Sequence, residues 1–187
     1  MSEPLYQPWG TVTPQFWATP ASDTTSAPTR LAPETLRARL VKVAEVAQAG
    51  HLPDAAALAA QLDQDVTSEY GELHLHTVQV REVRGYLAAL AGDHPSGLSW
   101  YLHAAQLRVT LQGPGHPDVE AATRRAYSLW RSMPPEAERQ RLGADLLTIA
   151  SDIHGPDSQV VRRIRERLVS LALSPSVGHA LTSAPPA

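Results

Sequence analysis

The sequence predicts an all-α protein, a solenoid of about seven helices behind an extended N-terminal arm. Three observations carry that prediction. Apolar residues recur at three- and four-residue intervals in seven successive segments. No segment shows the strict alternation of a half-buried strand. Gly and Pro stops fall at a fixed interval: Gly71, Gly113 and Gly155 are 42 residues apart, and so are Gly50, Gly92 and Pro134. Self-similarity at a fixed period is the signature of a stacked array, in which each helix pair completes its core against the next.

Residues 1–30 stand apart. Pro4, Pro8, Pro14, Pro20 and Pro28 are too closely spaced for a helix. The same stretch holds Tyr6, Trp9, Phe16 and Trp17, four of the ten aromatic residues in the chain. A plain disordered tail is poor in aromatics. The segment therefore reads as an arm that packs on its own domain, straps its own groove, or docks a partner, with pure disorder as the remaining alternative.

The helical domain occupies residues 31–173. The first helix opens after Pro33, carries Leu36, Leu40, Val43, Val46 and Ala47 on one face, and ends at Gly50. Pro53-Asp54 starts the second, with Ala55, Leu58, Ala59, Leu62 and Val66 as its apolar face and Gly71 as its stop. The third spans about residues 76–91 and the fourth about 95–111, ended by Gly113-Pro114-Gly115. The fifth starts at Pro117-Asp118 and ends before Pro134-Pro135; the sixth spans about 136–153 and the seventh about 157–173. Residues 174–187 read as a short tail.

The repeat resembles the tetratricopeptide (TPR) type. Gly85 and Gly92 fall at the small and turn positions of its middle copy, and Tyr101 and Ala104 at the aromatic and small positions of the second helix. Residues 111–119, Leu-Gln-Gly-Pro-Gly-His-Pro-Asp-Val, are similar to the linker of the 42-residue repeats of kinesin light chains. The likeness covers about residues 33–173 and is strong in the middle copy. It is poor in the last, where Pro134, Arg139 and Gly143 replace the turn glycine, small and aromatic positions. The resemblance implies a right-handed superhelix whose concave groove, lined by the first helix of each pair, binds a peptide. Carried over, the groove positions are Arg37, Gln79, Glu82, Tyr86, Arg124, Ser128, Arg131, Arg163 and Glu166. The Lys/Asn set of the chaperone-type carboxylate clamp is missing, since Lys42 is the only Lys and Asn is absent.

Composition narrows the function further. The net charge is −3, which argues against a bulk nucleic-acid binder. The absence of cysteine removes disulfides, thiol catalysis and cysteine-ligated zinc. No apolar run approaches the roughly 20 residues that span a bilayer, and no leader pattern opens the chain; the expectation is a cytoplasmic protein. The eight His match neither H-E-x-x-H nor a facial triad. His74 and His116 share one repeat phase, where a histidine caps or braces a turn. Asp63, Asp65, Glu69 and Glu72 read as a solvated face near a turn, and Arg124, Arg125 and Arg131 as solvated helix surface. No catalytic residue, metal or cofactor is assigned. The expected function is a non-enzymatic scaffold or adaptor for a protein or peptide partner, through the groove, the arm, or both. A peptide-sensing regulator, a self-associating subunit and an enzyme of unrecognised type stand as alternatives.

Overall fold

A computed structural model describes residues 33–134 and 137–173. The described residues form seven α-helices and no strand. In order they are α1 (Pro33–Gln48), α2 (Leu52–Tyr70), α3 (Leu75–Leu90), α4 (His94–Gln112), α5 (Pro117–Ser132), α6 (Ala137–His154) and α7 (Gln159–Leu173). The boundaries lie close to the sequence reading. The predicted arm, residues 1–30, and tail, residues 174–187, lie outside the described residues.

Two kinds of helix stop alternate along the chain. Gly50 and Gly92 have φ +87° and +82°. Each donates its amide to a carbonyl three residues back, and the next residue donates to one five back, as in His51 to Val46 and Asp93 to Ala88. That is the Schellman closure, which needs a left-handed residue and so favours Gly. Gly71, Gly113 and Gly155 end α2, α4 and α6 differently: each donates to a carbonyl four residues back. Gly71 (φ +84°, ψ +171°) and Gly113 (φ +85°, ψ +158°) then turn into a backbone region that L side chains barely enter. Where the period calls for a third Schellman glycine, the chain has Pro134, and Met133 before it is extended.

The start of each following helix is capped at one phase. The His74 Nδ1 accepts from the His76 amide at 3.2 Å, and the His116 Nδ1 from the Asp118 amide at 3.2 Å. The Ser158 hydroxyl takes the same place 42 residues later and accepts from the Val161 amide. The expectation that histidine caps these turns is met.

Neighbouring helices pack in succession, and α4 also reaches past α5 to α6. One core cluster joins Leu36, Leu40 and Val43 of α1 to Ala55, Ala59, Leu62 and Val66 of α2 and Val80, Val83 and Leu87 of α3. A second runs from Ala89 of α3 through Leu98, Tyr101, Leu129, Trp130 and Leu146 to Ile164 of α7. Each fully buried aliphatic side chain contributes about 1.5–3 kcal/mol. Leu58 is a correction: it is 41% exposed, because the buried stripe of α2 runs through Ala55, Ala59, Leu62 and Val66 instead.

Small residues set the spacing of the pairs. A Cβ on Gly97 would lie 3.0 Å from the Gly85 carbonyl, and one on Gly85 would lie 3.1 Å from the Tyr101 ring. The last pair uses the same device with the sizes exchanged. Tyr127 follows Gly85 by one period, and Gly143 follows Tyr101. Here the bulk is on α5: Trp130 is fully buried, and a Cβ on Gly143 would lie 2.7 Å from its ring. The residues that depart from the repeat pattern at the sequence level form a complementary joint of their own.

Candidate functional site

The predicted groove residues separate by burial. Arg37, Arg124, Arg131, Arg163 and Glu166 are exposed; Gln79, Tyr86 and Ser128 are half-buried. Glu82 is 1% exposed. Its position on α3 explains why. From His76 to Leu90 every residue of α3 is buried or half-buried, so this helix is enclosed by its neighbours and offers little open face.

Glu82 is therefore corrected from a surface ligand to an internal brace. The Arg108 Nε and Nη2 donate to its two carboxylate oxygens at 2.8 and 2.9 Å, and the Arg125 Nη1 donates at 3.1 Å. These bonds tie α3 to α4 and α5. Arg108 also reaches the Asp118 carboxylate at 3.2 Å. Burial opposes the Arg108 charge, but the Glu82 and Asp118 carboxylates outweigh it and raise its pKa above the ordinary arginine value. Arg125 is likewise corrected: it is half-buried and engaged, not free helix surface.

A second polar cluster joins α2, α3 and α4. The buried Asp63 carboxylate accepts from the Arg81 Nε at 3.2 Å and from the Arg84 Nη1 at 2.5 Å. Arg81 also donates to Glu72 at 3.1 Å, and its Nη1 lies 2.6 Å from the His103 Nε2. The Arg84 guanidinium stacks over the Trp100 ring at 4.0 Å. Asp63 and Glu72 are thus ion-pair partners and not a free acidic face. Asp65 pairs with Arg39 at 2.7 Å, half in solvent. The sequence did hold a signal for these clusters. Arg81 and Glu82 interrupt the apolar run Val78, Val80, Val83 and Leu87, and a charge on a buried face needs a partner.

Histidines gather at the α2–α3 turn. The His74 ring stacks on Tyr70 with centroids 4.6 Å apart and meets the His76 ring edge-on at 4.7 Å. Spacing alone sent His74 and His76 in different directions. That holds for two residues within one helix, but His74 is the cap before α3, so the rings meet. Burial lowers the pKa of His74; burial and the neighbouring His74 lower that of His76. Burial lowers His103 too, and the Arg81 charge adds to the effect. Among the described residues no group of three or more His, Cys, Asp or Glu could hold a metal ion. No described helix is long and apolar enough to cross a membrane.

The exposed arginines of α5 and α7 are open basic groups, as is Arg37 of α1. Arg124, Arg131, Arg162, Arg163 and Arg167 enter no ion pair among the described residues. The predicted arm residues Tyr6, Trp9, Phe16 and Trp17 lie outside the described residues. No protein-family model matches the chain, and no curated protein is significantly similar to it.

Proposed function

We propose that this chain is a non-enzymatic interaction scaffold of the tetratricopeptide type, with 42-residue repeats like those of kinesin light chains, acting in the cytoplasm on a protein or peptide partner. The observation that carries the reading is the alternation of two glycine stops and one capping position at a 42-residue period. A chain that repeats its joints at one interval presents a succession of equivalent helix faces, which suits an extended ligand better than a compact reaction site. The open arginines support an acidic or polar segment as the bound element, because guanidinium groups pair bidentately with carboxylates. The aromatic arm supplies a second contact or a strap.

The paired reversal Arg124→Glu with Arg163→Glu tests the reading. Both side chains are exposed, so helicity by circular dichroism is expected to be unchanged. Partner capture from native lysate is expected to be lost in the double variant. Capture equal to the parent would overturn binding through these faces. The same capture with residues 1–30 deleted separates the arm from the helices.

A further inference from the structure

Among the described residues three arginines are largely withdrawn from solvent, and one differs from the others. Arg81 and Arg108 each lie beside two carboxylates. Arg139 is 5% exposed, and no carboxylate among the described residues lies within ion-pair distance of it. Its Nη2 donates to the Arg131 carbonyl at 3.1 Å, and its guanidinium lies 5.6 Å from the centre of the Trp130 ring. Its Nε is buried with no hydrogen-bond partner. The residue is held there by its backbone: the Trp130 Nε1 donates to the Arg139 carbonyl at 2.8 Å.

The surroundings make a bare cation costlier still. Arg139 lies in the first turn of α6, the positive end of the helix dipole. Glu138 beside it points its charge to Arg141 at 3.6 Å. Burial lowers the Arg139 pKa, and the Arg167 charge lowers it further. A buried guanidinium ordinarily has an anion, and an indole and one carbonyl do not replace it.

We propose that Arg139 forms a binding site for an oxyanion, a carboxylate or a phosphate, at the joint between α5 and α6. The bound group completes the guanidinium through the donors left over from the Arg131 carbonyl. The site lies between the last turn of α5 and the first turn of α6 and stands independently of the scaffold reading, because the probe is the anion itself.

Calorimetric titration and melting curves test it, with sodium phosphate and an acetylated, amidated hexaglutamate peptide as probes and sodium chloride at matched ionic strength as control. At least one probe is expected to bind and to raise the melting temperature beyond chloride. Tighter binding of the peptide assigns the site to an acidic segment; binding of phosphate alone assigns it to a free anion. Arg139→Met is expected to weaken binding at least about tenfold, while melting no lower than the parent without anion, because an apolar side chain of similar length replaces an unpaired charge. Arg167→Gln, on exposed surface, is expected to fold and bind roughly threefold more weakly. Glu136→Gln is expected to melt as the parent does. The proposal is overturned if neither probe exceeds chloride, if Arg139→Met and Arg167→Gln bind as the parent does, or if Glu136→Gln loses several degrees, which would make that residue the counter-ion.

Discussion

Arg81 and Arg108, inside the block from α2 to α5, sit between carboxylates contributed by neighbouring helices and, for Glu72, by the α2–α3 turn. Arg139, inside the block from α5 to α7, sits between an indole and a carbonyl. The first block cross-links its helices with charge: Asp63 joins α2 to α3, and Glu82 joins α3 to α4 and α5. The second joins its helices by shape, with Trp130 lying against Gly143. The contrast teaches that one repeat period can be built on two different adhesives. Charge pairing fixes which groups meet but is costly to break on one side. Shape matching is tolerant of chemistry and intolerant of a single added carbon.

The largest expected effect is in the charged block. Glu82→Ala leaves Arg108 and Arg125 without their shared carboxylate and is expected to cost about 3–5 kcal/mol, read from equilibrium urea unfolding. Replacing Glu82 and Arg108 together by methionines should cost far less. A single-variant loss below that of the double would show that the block is not held by charge.

In the second block the sensitive point is Gly143. Gly143→Ala is expected to cost about 1–3 kcal/mol by overpacking against Trp130. Adding Trp130→Phe should recover part of that loss, since the two substitutions share one space. Strict additivity in a double-mutant cycle would break the pairing. At the α4–α5 turn of the first block, Gly113→Ala is expected to cost about 1–2 kcal/mol, with nothing near its Cβ to add a clash.

The smallest effect is titration. His74, His76 and His103 of the first block have folded pKa values below the unfolded value, as has His154 of the second, where burial is the main cause. The folded state therefore resists a proton that the unfolded state accepts. Stability is intact above the unfolded pKa of about 6.5 and falls as pH drops below it, levelling off beneath the lowered values. Hydrogen exchange at pH 5 against pH 7 is expected to show a larger loss of protection in α2 and α3 than in α6 and α7. Equal loss in both blocks would remove the distinction.

Helix number, order and ends were legible in the sequence because they rest on local chemistry. Gly50, Gly71, Gly92, Gly113 and Gly155 each mark a left-handed stop, and that requirement is written in one residue. The capping role of His74 and His116 was legible from their shared phase. What was not legible depends on contacts between distant residues. Glu82 was placed on the groove by its position on α3, but α2, α4 and α5 enclose that helix, and only the fold shows it. Gly143 read as a lapse from the pattern because its partner, Trp130, lies thirteen residues away on another helix. Arg139 read as a misfit in a small position for the same reason.

The glycine stops carry one more consequence. Gly50, Gly71, Gly92 and Gly113 follow one another every 21 residues, so successive helix–turn units have equal contour length. Equal lengths act as a ruler: they bring every second joint back to the same end of the stack. A segment cut at Gly50 and Gly92 is thus a cassette whose two ends have the same hydrogen-bond closure. Duplicating it should lengthen the array by one helix pair without disturbing any other joint, whereas inserting a single residue inside a helix would rotate everything after it by about 100°. Growth by duplication, and not by drift in helix length, is the kind of change this architecture absorbs.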